Sequence, residues 1–309
     1  IKDISGIHEA ELNLPKELWK TLEWISKYYI APLGQVLKAA IPHSFMSPYS
    51  PKLVKYVSIT AEGKEALQNW TKKAPAQFEF LQALSQVDEP IRVACMSEMV
   101  ASPHAVCTTL EKNKWVTTIE QAKIYDPFDI MAPGSPMEIE LSDAQEQVYA
   151  LVQKSLKKEI FKPYLLHGVT GSGKTEVYLK LAQDAVEQGR SVLVLVPEIS
   201  LTPQVAKRFR RAFGARVALW HSKMTRAEKG WTWQQLKNGA YSVVVGARSA
   251  LFAPLDNLGL IIVDEEQEST YKQEAPAPRY HARDVALIRG RHANATVLLT
   301  SATPSLESY

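Results

Sequence analysis

Lys174 and Thr175 close an eight-residue run, Gly168-Val169-Thr170-Gly171-Ser172-Gly173-Lys174-Thr175, with the spacing Gly-x-x-x-x-Gly-Lys-Ser/Thr. Glycines here let backbone N–H groups converge on phosphate oxygens with no Cβ in the way, and a following helix adds the positive end of its dipole. The Lys174 ammonium would neutralise the β and γ phosphates, and the Thr175 hydroxyl would ligate magnesium. The implied ligand is a triphosphate with magnesium. A glycine-rich strand-to-helix turn with no ligand would share the composition. Further along, the apolar run LGLIIVDEEQ ends in Asp264 and Glu265. Asp264 would hold magnesium through water, and Glu265 would polarise the attacking water.

The elements that must position these groups follow from the apolar pattern. YLLHG precedes the glycine run and EVYLKLAQDAVEQG follows it, a strand and a helix in the order the motif requires. Beyond residue 140, SVLVLVP, ARVALWH, YSVVVG, LGLIIVDEE and TVLLTSAT are further short β-branched runs, separated by longer amphipathic ones. Near-continuous apolarity marks strands buried on both faces. The fold class expected is α/β, a doubly wound parallel sheet with its ligand site outside the carboxyl ends of the strands.

The earlier half has a different texture. Residues 15–41 read as an amphipathic helix from Leu18 to Tyr29, a turn at Pro32 to Gly34 and a second short helix. Trp19, Trp24 and Tyr28, at helical spacing, are expected in the core. The stretches PHSFMSPYSP and YDPFDIMAPGSPM read as linkers. Between them lie three helix-like segments, ITAEGKEALQNW, FEFLQALSQ and MSEMVASPHAVCTTLEKN, and then the strand-like KWVTTI, which suggests a winged helix. Its recognition helix would fall between Met96 and Lys112. Few bases lie there, so packing against protein competes with duplex DNA contact.

Composition excludes several classes. The chain has 309 residues, 46% of them hydrophobic, enough for a sizeable core and for two or more domains. No apolar run is long enough to span a bilayer and no signal peptide is visible, so no membrane partner and a cytoplasmic location are expected. Two cysteines, Cys95 and Cys107, support neither a disulfide framework nor a zinc site. A net charge of +3 permits a polyanionic partner without requiring one.

The ordered segments LSDAQ, HGVTGSGKTEVYL, LVPEISLTPQ, ALWHS, VVVGARSALFAPL, IIVDEEQ, YKQEAPAPRYHARDVA and LTSATPSLES resemble the motif set of superfamily 2 DNA helicases. Within these, they are similar to the bacterial primosomal replication-restart helicases of the PriA type. YYIAPLGQVLKAAIP resembles the end of that family's 3′-end DNA-binding domain. The resemblance implies three parts: 1–48, the remnant of that domain plus a linker; 49–125, a winged helix; 126–309, a RecA-like ATP-binding lobe. It implies a 3′-to-5′ DNA helicase acting at stalled forks, with forked and single-stranded DNA, single-stranded DNA-binding protein and primosome proteins as partners.

It also implies roles. Gln145 would read the adenine edge, since a carboxamide offers both donor and acceptor. Ser200, Thr202, Gln204, His221, Arg248 and Ser249 would contact the DNA backbone. Tyr271, Lys272, Arg279, Tyr280 and His281 would form an aromatic and basic loop that stacks on bases and clamps phosphates, although a proline-rich surface loop would have the same composition. Ser301, Ala302 and Thr303 would link the nucleotide site to DNA. The family has histidine where this chain has Gln267, which would alter coupling. The implied second lobe, its arginine finger and a zinc-binding cysteine cluster have no counterpart before Tyr309. Hydrolysis by this chain alone is therefore expected to be weak, since losing such an arginine costs roughly three to five orders of magnitude. A restriction-type DNA translocase subunit, or a non-motor nucleotide-regulated module, would share part of this pattern.

Overall fold

The computed structural model describes residues 14–42, 53–71, 73–87, 90–122 and 139–309. Apart from Pro42, both expected linkers lie outside the described residues. Contacts divide the chain into two compact units, one built from 1–49 with 125–309 and the other from 50–124.

The larger unit holds six parallel strands: β4 (Lys162–His167), β5 (Ser191–Leu195), β6 (Val217–Trp220), β7 (Val243–Gly246), β8 (Leu258–Val263) and β9 (Thr296–Ser301), counting from β1 to β3 in the smaller unit. Their spatial order is β4-β9-β8-β5-β7-β6. Every residue of β8 and of β9 is buried. Alternate residues divide between two cores: Val192, Val194, Leu260 and Ile262 face one, Leu193, Leu195, Ile261 and Val263 the other. Helices α6 (Asp143–Lys157), α7 (Lys174–Glu187) and α8 (Pro203–Phe213) contribute to the first core. The opposite core takes α9 (Arg226–Lys237), α10 (Ala282–Ala293) and the N-terminal pair α1 (Lys16–Tyr28) and α2 (Leu33–Ala40).

The N-terminal helices therefore share the core of the nucleotide lobe. Leu18, Leu22 and Ile25, at i, i+4 and i+7, are fully buried in it; each such side chain contributes about 1.5–3 kcal/mol on burial. Arg289 of α10 is fully buried, and its Nη2 donates to Glu17 Oε1 at 3.0 Å and to the Ala253 carbonyl at 2.9 Å. The seam chosen by Leu18, Leu22 and Ile25 turns two of the three aromatics outward, correcting the expectation that they are core: Trp19 is 40% exposed and Tyr28 63%, while Trp24 packs against the core. Trp24, half-buried, stacks on Tyr28 with centroids 4.5 Å apart.

The smaller unit has β1 (Leu53–Ile59), α3 (Ala61–Gln68), α4 (Pro75–Ser85), β2 (Ile91–Arg92), α5 (Pro103–Lys112) and β3 (Val116–Ala122), with an antiparallel sheet ordered β2-β1-β3. Val57, Phe80, Leu81, Met96, Cys107, Leu110 and Val116 form its core. Two features depart from the sequence reading. The strand β1 was not expected, and the single segment from Met96 to Lys112 is broken: a 3-10 turn covers Val93–Glu98, and α5 begins afresh at Pro103. Proline suits a first helical turn and not an interior one.

Candidate nucleotide-hydrolysing site

Because β9 lies between β4 and β8, the carboxyl ends of three adjacent strands deliver the phosphate loop, the Ser-Ala-Thr segment and the acidic pair side by side. The Gly168 N–H donates to the Ser301 carbonyl at 3.1 Å, fixing the start of the loop to the end of β9. Gly171 and Gly173 have φ of +80° and +79°, the left-handed region that side chains other than glycine's enter at a cost. Lys174 is buried, and its Nζ donates to the Gly168 and Val169 carbonyls at 2.7 and 3.3 Å, which holds the ammonium inside the curl of the loop. A buried cation, left-handed glycines and the N-terminus of a 14-residue helix together fit a polyphosphate.

Gln145 is placed against this loop by α6. Its Oε1 accepts from the Ser142 N–H at 2.8 Å, closing a capping box, while its Nε2 donates to the Ser172 carbonyl at 2.9 Å. One N–H and one lone pair of the carboxamide remain for a base edge.

Asp264 sits at the end of β8. It accepts a hydrogen bond from the Thr300 hydroxyl and another from Tyr178 Oη at 3.2 Å. Burial raises its pKa above the ordinary value; the Thr300 hydrogen bond opposes this, Glu265 adds to it, and Tyr178 and Lys174 oppose it. Tyr178 also bonds Thr175, so the magnesium candidates Thr175 and Asp264 are tied through one phenol. Glu265 has φ of +48°, an uncommon conformation for glutamate that turns the chain sharply as it leaves the strand. Gln267 then reaches back to Glu265 Oε2 at 2.9 Å and accepts from Ser301 Oγ at 2.6 Å, while the Thr303 N–H donates to the same Ser301 hydroxyl at 3.0 Å. Ala302, half-buried, lies between them.

A second depression of 590 Å³ opens beyond the ends of β5 and β7. Arg248, Ser249, Lys272 and Glu198 line it, and Ala39 of α2 forms part of its wall. Ser200, Thr202 and Gln204 do not line it; the Thr202 hydroxyl caps α8 by accepting from the Val205 N–H. Arg248 Nη1 donates to the Lys272 carbonyl at 2.7 Å and Lys272 Nζ to the Arg279 carbonyl at 2.8 Å, so both cations brace the loop they line.

One expectation for that loop is corrected. Tyr271 and Tyr280 are each 1% exposed and cannot stack on bases. The Tyr271 hydroxyl donates to the Asp264 carbonyl at 2.6 Å, and the Tyr280 ring packs on Phe252 under the Arg248 guanidinium. His221 and His281 are half-buried, and in each burial lowers the pKa, favouring the neutral ring over a phosphate-binding cation. The His281 N–H donates to the Tyr29 hydroxyl at 3.1 Å.

Six residues entered the site without a sequence reading. Thr300 and Tyr178 hold Asp264, as described. Glu266, 1% exposed, accepts from Arg283 Nη1 at 3.1 Å, from the Ser305 N–H at 2.8 Å and from Ser308 Oγ at 2.8 Å. Burial acts to raise the Glu266 carboxyl, but these bonds outweigh it and hold it below its ordinary value. The available signal was polarity out of place: a third acid in DEEQ and a threonine ending the buried run TVLLT.

A parallel sheet with a phosphate loop at one strand end and an Asp-Glu pair at another defines a RecA-like P-loop nucleotide-binding lobe. Residues 142–309 match the family model of DEAD/DEAH box helicases, and the chain belongs to that family. The family implies use of ATP and Mg2+. Residues 1–42 match a model described as a 3′ DNA-binding domain. The replication restart protein PriA of Chlamydia pneumoniae is 40% identical over 100% of this chain and 42% of its own length. That of Haemophilus influenzae is 38% identical over 94% of this chain and 40% of its own length. A solved structure, "Structure of RecG bound to three-way DNA junction", aligns with 27% identity over 56% of this chain and 22% of its own, at a TM-score of 0.42. The chain spans about two-fifths of the length of the curated relatives it matches. Among the described residues no helix is long and apolar enough to cross a membrane.

Proposed function

We propose that this chain carries the ATP-binding core of an ATP-dependent 3′-to-5′ DNA helicase that works in replication restart at stalled forks. One observation carries the reading: β4, β9 and β8 bring Lys174, Ser301 and the Asp264-Glu265 pair to a single edge of the sheet, with Gln267 spanning the last two. When bound, Mg2+ and ATP supply the scissile phosphoanhydride and the charge that Asp264 and Thr175 are placed to hold. Lys174 neutralises developing phosphate charge, Glu265 orients water, and Gln267 reports the state of Glu265 to the end of β9.

The similarity to restart proteins supports the fork as substrate, and single-stranded DNA-binding protein and primosome proteins as partners in the cytoplasm. The smaller unit is assigned as the winged helix, and residues 14–42 as the docked end of the 3′-end-binding domain. Arg248, Ser249 and Lys272 are assigned to the DNA backbone on the ground that they line one cleft; Arg279 adjoins them. Zinc is assigned to relatives' sequence outside this chain.

The test has two parts. A fluorescent ATP analogue should bind this chain in a Mg2+-dependent manner and fail to bind Lys174→Ala. Turnover by the full-length protein should be strongly stimulated by forked DNA with a single-stranded gap; turnover indifferent to DNA, or unchanged in the variant, would sink the motor reading.

A further inference from the structure

Next to the cleft lies a smaller pocket of 300 Å³, formed where α2 meets the start of α9 and the end of β6. Lys38, Arg226 and Lys229 line it over a floor of Trp220 and Ile41, and no acidic residue is in its lining. Trp220 is 4% exposed and Ile41 7%, so the floor is fixed by the core beneath it. Lys38 and Arg226 are exposed and Lys229 is half-buried. None of the three makes an ion pair among the described residues, although three like charges at one concavity repel one another. The neighbouring acid, Glu228, is committed elsewhere: its Oε2 accepts the Thr225 N–H at 2.6 Å in a capping box. Ser249 and Ala39 line both this pocket and the cleft, so the two are continuous.

A strand lying on Arg248 and Ser249 would pass α2 and reach this pocket without leaving the surface. An extended chain of phosphodiesters fits three cations unpaired among the described residues and continuous with a cleft that presents Arg248 and Lys272 beside Glu198 and Glu274; an apolar floor with no exposed aromatic face fits sugars rather than stacked bases. We propose that Lys38, Arg226 and Lys229 form a phosphodiester subsite for single-stranded DNA continuing from the cleft, with the N-terminal helices supplying one wall. The proposal rests on the reading of the cleft as a DNA path. It gives α2 a binding role within the nucleotide lobe.

Binding of fluorescein-labelled oligothymidylates, one short and one long, to this chain between roughly 50 and 200 mM NaCl tests it. The variant is Lys38→Gln/Arg226→Gln/Lys229→Gln. Its charge-matched control is Lys154→Gln/Lys157→Gln/Lys158→Gln in the last turns and C-cap of α6, at the opposite face of the sheet. Three lost phosphate contacts should flatten the slope of log K against log salt by about two, at about 0.7 per contact, and weaken the long oligomer about tenfold while the short one changes little. Unchanged binding in the pocket variant, or an equal loss in the α6 control, overturns the subsite. Absence of binding by the unaltered chain at low salt overturns the cleft reading itself, and the subsite with it. Retained binding of the ATP analogue by both variants shows that the fold is intact.

Discussion

Gln267 Nε2 lies 2.9 Å from Glu265 Oε2 while Gln267 Oε1 accepts the Ser301 hydroxyl at 2.6 Å, so one carboxamide spans the acidic strand end and the neighbouring strand end. The orientation of the amide is assigned by its partners, since only this way round do a carboxylate and a hydroxyl both find complements. A neutral amide keeps this bridge at any pH at which Glu265 is ionised. A donor to a carboxylate is worth about 1.5–3 kcal/mol.

Substituting Gln267→Ala removes the bridge and leaves the phosphate loop alone. In the full-length protein the DNA-stimulated part of ATP turnover is expected to fall by about an order of magnitude, within the span of site-to-site coupling energies, with nucleotide affinity nearly constant. Turnover measured with and without forked DNA, beside an ATP-analogue titration, separates the two effects. Equal loss in both would make Gln267 a part of the nucleotide site instead.

Gly173 combines φ of +79° with a close neighbour: a Cβ there would meet Gln145 Nε2 at 2.2 Å. Gly173→Ala must therefore both strain the loop, at about 1–2 kcal/mol, and expel the Gln145 carboxamide from the Ser172 carbonyl. ATP-analogue affinity is expected to drop at least about tenfold, the equivalent of 1.4 kcal/mol. Gly171→Ala is the informative companion, because its φ of +80° is similar but nothing lies within reach of the new Cβ. A smaller loss there assigns the difference to Gln145.

These two sites also show what could be read without a structure. The phosphate loop was legible because its glycines, lysine and threonine answer to one local backbone conformation, and β5 to β9 because burial on both faces writes an unbroken apolar run, whereas β4, at the edge and without a fully buried residue, was legible from its place before the loop. Tyr271 and Tyr280 were not: an aromatic among prolines and bases has the same local pattern whether its ring is exposed or sunk against Phe252 and Asp264. Only long-range packing decides. The same holds for α1, where Trp19 and Tyr28 compete with Leu18, Leu22 and Ile25 for the buried seam. β1 was missed because, of LVKYVSI, only Val57 is fully buried, leaving little alternation to see.

The docking of α1 can be tested through Arg289, which is fully buried and whose guanidinium burial has lowered in pKa, with Glu17 opposing that shift. Removing Glu17 leaves a buried charge with only the Leu251 and Ala253 carbonyls, and Glu17→Ala is expected to cost about 3 kcal/mol. The paired change Glu17→Leu/Arg289→Met should recover most of that loss, since apolar replacement of a buried pair is often neutral or stabilising. Denaturant unfolding of the unaltered chain, Glu17→Leu, Arg289→Met and the paired variant closes a cycle that yields the coupling. Amide exchange along α1 should rise in the Glu17 single variants alone. Unchanged exchange would mean that Leu18, Leu22 and Ile25 hold the helix unaided.

Asp264 gives the pH dependence its sign. Its folded-state pKa is raised by burial above the ordinary 3.8, so the folded protein holds the proton more tightly than the unfolded chain does. The stability linked to this group is present below the unfolded value and lost as pH rises through the folded one, at about 1.4 kcal/mol per unit of displacement. In Mg2+-free buffer Asp264→Asn should therefore be more stable than the unaltered protein near neutral pH, with the margin closing as pH falls toward 3.8. Mg2+ must bind the ionised carboxylate, so the Mg2+-dependent gain in stability with ATP, about 2.7 kcal/mol at a hundredfold excess over Kd, should fade on acidification and be lost in the variant. Melting curves at several pH values, with and without Mg2+, read both effects. A variant less stable than the parent at neutral pH would show that the Thr300 and Tyr178 bonds, not burial, dominate the Asp264 carboxyl.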